Sequence, residues 1–302
     1  MRSIDEFTIT DATLDQMSTA TNPRFKQIME AAVRHLHDFA REVDLTPEEW
    51  LAGISFLTAV GQTCTQYRQE FILLSDTLGL SALVNYMHDG RMIEPGTQSS
   101  LLGPFYRQDA PHFNLGDCIG KKPGSQEIGI YGQITDSEGR GIPHASIQIW
   151  QTDDEGEYDL QHNDPSQMDF RGILEADSEG RFHIRTVRPL GYLIPLDGPV
   201  GDMIRAQRRH GFRPAHIHFL IGAPGYREVV TALYVNPDDH MDSDVVFGST
   251  ASLVVETHTD DPNSPFPNLP TIHFDFSLAR AAEEDKSGRV GADPAQILAK
   301  MH

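Results

Sequence analysis

The spacing of apolar residues changes partway along this 302-residue chain, and that change limits the fold more than any other property of the sequence. In NPRFKQIMEAAVRHLHDFAREV, residues 22–43, Phe25, Ile28, Ala32, Leu36, Phe39 and Val43 recur every three or four positions. That is the stripe of an amphipathic helix. Asn22 is its expected N-cap, with Pro23 in the first helical position, where a missing N–H costs nothing. TPEEW opens a second helix: Thr46 caps, Pro47 leads, and Glu49 closes a capping box. A third helix is expected through residues 66–89, QYRQEFILLSDTLGLSALVNYMHD, with Gly79 as its weak point. The Gly- and Pro-rich stretch DGRMIEPGTQSSLLGPFYRQDAP then breaks the rhythm and reads as a connection. From about residue 126 the period becomes two. EIGIYGQITDSEGRGIPHASIQIW, RFHIRTV, RPAHIHFLIGAPG and EVVTALYV are strand-like runs separated by turns such as DSEGRG and DDEGE. The expected fold is α+β: an N-terminal helical domain over residues 1–98, followed by an antiparallel β-sandwich over residues 99–302 that ends in a polar tail.

Composition narrows the function. A hydrophobic share of 39% and a charged share of 23% suit a core-forming globular chain. The net charge of −20 disfavours nucleic acid and anionic membrane as partners, because both repel an acidic surface. Cys64 and Cys118 are too few and too far apart for a disulfide framework. Neither an 18-residue apolar run nor a signal-peptide core is present, and two cysteines without a CxxC pair make a reducing cytoplasm the expected location. GxGxxG and GxxxxGK stretches are also absent, which leaves no nucleotide-binding loop to assign.

Two H-x-H pairs then invite a geometric comparison. On a helix, a spacing of two turns a residue through about 200°, so His35 and His37 face different ways. On a strand the same spacing puts both side chains on one face, so His216 and His218 in FRPAHIHFLIG project together and could hold one ion. Paired core histidines remain the alternative. Tyr158, closing DDEGEY, and Tyr192, in RPLGYLIP, are candidate oxygen donors, although each alone reads equally as a packing residue. Two tyrosinates and a hydroxide would neutralise the three charges of Fe(III), and hard oxygen donors disfavour soft metals.

With these residues in view, the sequence resembles the intradiol ring-cleaving dioxygenases. The blocks IYGQITDSEGRGIPHASIQIWQTDDEGEY, RTVRPLGYLIPLDGPVG and RPAHIHF occur in that family's order, and the helical first part points to its catechol and hydroxyquinol 1,2-dioxygenase branch. FILLSDTLGLSALV, LLGPFY and DSDVVFG are most similar to the hydroxyquinol members. The resemblance implies one Fe(III) per subunit, held by Tyr158, Tyr192, His216 and His218. It implies catalytic roles for Tyr192 and for Arg213, whose charge would stabilise charge developing on the ring. It further implies a substrate pocket of Leu73, Asp76, Leu102, Gly103, Leu193, Ile194, Arg213 and Val246. Asp76 would accept a hydrogen bond from the third hydroxyl of benzene-1,2,4-triol. Relatives are homodimers joined through their helical parts, often with a phospholipid at the interface. The implied reaction opens the ring of an aromatic diol or triol with O2, between its two adjacent hydroxyls, to a cis,cis-muconate, in the degradation of aromatic compounds. Catechol, alkylcatechols and chlorocatechols are the alternative substrates.

Three positions depart from the family pattern. Gln148 stands where the signature usually has Asp or Glu. Leu193 replaces the proline after the second tyrosine, and Ala232 aligns with a glutamine of the catechol-cleaving relatives. The rival reading from another class is a non-enzymatic transthyretin-like module, which shares strand-turn patterns such as GQITDSEGRGIPHASIQIW. A cupin-like HxH enzyme would need a further histidine and a carboxylate, and the loops of His240 and His258 carry no such pattern.

Overall fold

The computed structural model describes residues 4–65, 67–90, 94–120, 125–161, 164 and 166–281. These fall into two compact units, 4–58 and 59–281. The polar tail expected after residue 281 lies outside the described residues, as does part of the expected connection, residues 91–93.

Local chemistry fixes the helices. Helix α1 is Ile9–Gln16 and α2 is Pro23–Glu42. The Asn22 side chain accepts from the Phe25 N–H at 2.9 Å, satisfying one of the donors that a helix start leaves open. Helix α3 is Pro47–Thr63, and its capping box is complete: Thr46 N–H donates to Glu49 Oε2 at 3.0 Å, and Glu49 N–H to Thr46 Oγ1 at 3.3 Å. The helix expected over 66–89 is two helices, α4 (Glu70–Thr77) and α5 (Leu80–Asp89). Gly79 separates them in a left-handed conformation with φ +75°, which a glycine adopts without steric cost. His35 is exposed, whereas His37 is half-buried and its Nδ1 meets Thr10 Oγ1 at 2.9 Å, so the helical H-x-H pair diverges as expected.

The second half is a two-sheet sandwich, and the α+β class holds. Strands β1 (Glu127–Asp136), β2 (Ser146–Gln151), β3 (Arg171–Glu175), β4 (Arg181–Val187) and β5 (Tyr192–Leu193) precede helix α6 (Pro199–Ala206). Then follow β6 (Phe212–Arg213), β7 (His216–Gly222), β8 (Val229–Asn236), β9 (Val254–Glu256), β10 (Thr271–His273) and β11 (Phe276–Leu278). One sheet runs β3-β2-β7-β8-β9; in the other, β1 is flanked by β10, β11 and β4; β5 and β6 form a separate short pair. The central pairings are antiparallel, whereas β1–β10, β1–β11 and β8–β9 are parallel.

The strand period of two sorts the side chains of the five-stranded sheet. Ile147 and Ile149 of β2, Ile217 and Phe219 of β7, and Leu233 and Val235 of β8 face the sandwich core, all at 0–1% exposure. Each such side chain contributes about 1.5–3 kcal/mol through burial. The alternate positions Trp150, His216, His218, Ala232 and Tyr234 therefore share the opposite face, and they too are buried. That second face is where the chemistry lies.

Candidate active site

Register brings the first members together. His218 lies opposite Trp150 on one side and Ala232 on the other, while His216 lies opposite Tyr234. The Trp150 and His218 rings stack at 4.8 Å with 4° between planes, which fixes the imidazole plane. The His216 and His218 Nε2 atoms are 3.2 Å apart. His216 Nδ1–H donates to the Pro214 carbonyl at 2.7 Å, so its Nε2 carries the lone pair of the neutral ring. His218 Nδ1 faces the Leu101 carbonyl without reaching hydrogen-bond geometry.

The tyrosines approach from loops. Tyr158 follows the DDEGE turn, in which Gly156 adopts φ +84° against the Gly191 carbonyl and Tyr192. Its hydroxyl lies 3.4 Å from His216 Nε2. Tyr192 opens β5 and pairs with Arg213 of β6, so the strand pair delivers a phenol and a guanidinium together. The Tyr158 and Tyr192 rings meet edge-on at 5.5 Å, and Phe105 stacks on Tyr158 at 4.3 Å. All four donors are at most 5% exposed.

Electrostatics complete the cluster. Burial holds both histidines well below their usual pKa, helped by the Arg213 charge, so both are neutral and able to ligate. Burial raises both phenols; for Tyr158 the neighbouring Tyr192 adds to the effect, whereas for Tyr192 the Arg213 charge works against it. Arg213 Nη1 donates to His216 Nε2 at 3.0 Å. Burial opposes the charge on Arg213, but Asp244, Tyr192 and Tyr234 together outweigh it and hold the guanidinium protonated.

The donor set fits a hard trivalent cation. Bonds of about 2.1 Å at right angles put two nitrogens about 3 Å apart, close to the separation of the two Nε2 atoms. Among the described residues no three His, Cys, Asp or Glu side chains converge, while the Tyr158 hydroxyl lies beside His216 Nε2. A cation there would offset the burial that keeps the phenols protonated.

The expected pocket residues are placed unevenly. Gly103, with φ +71°, passes over His218, and a Cβ there would meet its Cε1 and Nε2 at 3.6 Å. Ile194 and Val246 are buried at 3% and 2%, and Leu102 is half-buried. Asp76 is buried, and burial pushes its carboxyl up to about 6, against a hydrogen bond from Ser81 and the charge of Arg213. Leu193 alternates with Tyr192 and points outward at 47% exposure, so it is not part of the buried cluster. Leu73 and Phe105 line a cavity of about 470 Å³ that extends to Pro104, Leu160, Pro195 and Leu196. At this cavity Arg68 pairs with Glu70 and Asp197. Gln148 Oε1 accepts from the Tyr106 hydroxyl at 3.0 Å, and Ala232 lies across from His218 with no polar group to offer.

Trp150, Phe105, Tyr234, Asp244 and the Asp159–Arg171 pair were not expected at the site. Register and loop packing bring most of them there, and one sequence cannot show either.

A sandwich that buries two phenols against two imidazoles defines a class of β-sandwich enzyme with an oxygen- and nitrogen-donor centre. Comparison with known proteins identifies it. The family described as Dioxygenase matches residues 101–280, and that described as Catechol dioxygenase N terminus matches residues 22–92. The chain is 44% identical to the 6-chlorohydroxyquinol 1,2-dioxygenase of Cupriavidus pinatubonensis over 84% of its length and 92% of that relative. The solved hydroxyquinol 1,2-dioxygenase of Pseudomonas putida superposes with TM-score 0.82 at 42% identity, covering 91% of this chain and 99% of that one. The catechol 1,2-dioxygenase of Acinetobacter radioresistens superposes with TM-score 0.80 at 27% identity, covering 96% and 98%. The chain belongs to the intradiol ring-cleaving dioxygenase family.

Proposed function

We propose that this enzyme opens benzene-1,2,4-triol with O2 between its adjacent hydroxyls, giving 3-hydroxy-cis,cis-muconate (maleylacetate), with one Fe(III) per subunit held by Tyr158, Tyr192, His216 and His218. The observation that carries the reading is the convergence of two buried phenols with two neutral Nε2 atoms. Substrate preference rests on sequence: at nearly equal structural similarity, identity is 42% to a hydroxyquinol enzyme and 27% to a catechol enzyme.

Bound ferric iron would acidify the diol hydroxyls and draw electron density from the ring. The chain's own residues do the rest. Tyr192, which would be a phenolate when held to the ion and lies beside the Arg213 charge, would take a substrate proton as a local base. Arg213, buried and fixed in charge, stabilises the negative charge that develops on the ring as it meets O2. Asp76 accepts a hydrogen bond from the third hydroxyl, while Leu73, Leu102, Gly103, Ile194 and Val246 exclude water around the ring, with Leu193 at the outer edge.

Residues 1–98 supply the contact of a cytoplasmic homodimer, and residues 99–302 the iron site. Phe25, Ile28, Leu36 and Phe39 of α2 and Val43 just after it are 36–65% exposed, an apolar stripe suited to a second copy and a phospholipid. Among the described residues no helix is long and apolar enough to cross a membrane. Turnover of benzene-1,2,4-triol and catechol by the iron-loaded protein, followed by O2 uptake and product identification, tests the reading. A higher kcat/KM for the triol supports it, and faster catechol cleavage overturns the substrate assignment.

A further inference from the structure

Asp244, in the loop after β8, is 5% exposed, and its two oxygens accept five hydrogen bonds. Oδ1 accepts from Arg213 Nε at 3.1 Å and Val246 N–H at 3.3 Å. Oδ2 accepts from Arg213 Nη2 at 3.2 Å, Gly248 N–H at 3.0 Å and Ser249 N–H at 3.2 Å. Arg213 Nη2 also donates to the Tyr234 hydroxyl at 3.2 Å, which in turn meets Ser100 Oγ at 3.0 Å. Two of the three guanidinium nitrogens are thus held from one side. Nη1 alone is directed at His216 Nε2.

The loop is fitted closely to this arrangement. A Cβ at Gly248 would meet Tyr234 Oη at 2.5 Å, Arg213 Nη2 at 2.9 Å and Asp244 Oδ2 at 3.2 Å. The backbone therefore reaches the carboxylate only because residue 248 lacks a side chain. The same carboxylate holds the backbone of Val246, a wall of the proposed pocket.

We propose that Asp244 is a positioning residue that locks the Arg213 guanidinium and the Val246 wall into one unit, and so governs both the rate of ring cleavage and the discrimination between ring substituents. The inference rests on the reading that Arg213 and Val246 face substrate. A carboxylate is required because asparagine has one acceptor oxygen in place of two. It leaves either the guanidinium or the loop N–H groups without a partner, and leaves the buried charge of Arg213 uncompensated.

The test uses the full-length, iron-loaded protein and its Asp244→Asn and Tyr234→Phe variants. The readouts are kcat per bound iron and kcat/KM on benzene-1,2,4-triol and catechol, the visible spectrum, and anaerobic spectral titration with each diol. Asp244→Asn is expected to lower kcat per iron by about 10–100-fold, the usual effect of removing a group that orients an active-site residue. It should also shift the triol-to-catechol ratio while leaving the visible band of the resting protein in place. Tyr234→Phe removes one of the guanidinium's acceptors and should lower kcat by a smaller factor. A merely structural role would lower iron content and thermal midpoint, but neither kcat per iron nor the ratio. Unchanged kcat per iron and ratio in Asp244→Asn overturns the inference; if that variant does not fold, unchanged values in Tyr234→Phe overturn it. Wild-type protein that cleaves neither diol overturns the proposed function and this inference with it. Wild-type turnover beside unchanged variants overturns this inference alone.

Discussion

Arg171 and Asp159 form a two-pronged ion pair in which both side chains are 2% exposed, and Asp159 is the residue that follows Tyr158. Arg171 Nη1 also donates to the Phe105 carbonyl at 3.0 Å, and the Phe105 ring stacks on Tyr158. One arginine on β3 thus fixes both the turn that carries Tyr158 and the ring that covers it. Arg171→Met should destabilise the fold by about 3–5 kcal/mol, because it strands a buried carboxylate. Replacing both partners with apolar residues should recover much of that loss. Urea unfolding measures both; a loss below about 1 kcal/mol in the single variant would show the pair to be dispensable.

Asp76 should make stability depend on pH. Its carboxyl is raised from 3.8 to about 6, chiefly by burial. Below about pH 4 the folded and unfolded chains both carry it protonated and its contribution is complete. As pH rises through about 6 the unfolded chain has already released the proton and the folded chain must follow. About 3 kcal/mol is then lost relative to Asp76→Asn. Parallel stability curves for wild type and variant between pH 4 and pH 7 would contradict this.

The same group should set substrate choice. Once ionised, Asp76 is an acceptor for the third hydroxyl of the triol, so the preference for triol over catechol should strengthen as pH rises through about 6. Asp76→Asn should reduce that preference by about 10-fold or more, since a site built for a hydroxyl discriminates strongly against its absence. The ratio of kcat/KM values across pH measures it, and a flat ratio in wild type counts against the contact.

Gly103→Ala tests the loop over His218. The left-handed φ of +71° costs an alanine about 1 kcal/mol, whereas 3.6 Å to the imidazole is ordinary contact. A small loss of stability with a raised KM is expected. An unchanged KM would place substrate away from this loop.

The sequence was most readable where one residue's chemistry decides local structure. Asn22, Thr46 and Glu49 marked helix starts that the hydrogen bonds reproduce, and the H-x-H spacing on a strand put His216 and His218 on one buried face. It was least readable where distant segments meet. Gly79 was visible as a weak point, but whether the helix would tolerate it or break depended on packing. Asp244 lies 31 residues from Arg213, and no periodicity links them. Leu193 turns outward where Tyr192 turns in, an alternation that a strand of only two residues does not announce in the sequence.

Visible absorption after loading with ferric iron tests the central claim most directly. Tyr158 and Tyr192 as ligands predict a wine-red protein through tyrosinate-to-iron charge transfer, a band that shifts when a diol is added without oxygen and that Tyr192→Phe largely removes. Iron-loaded protein without visible colour, or a Tyr192→Phe variant with the full band and full turnover, would contradict the two-tyrosine, two-histidine site.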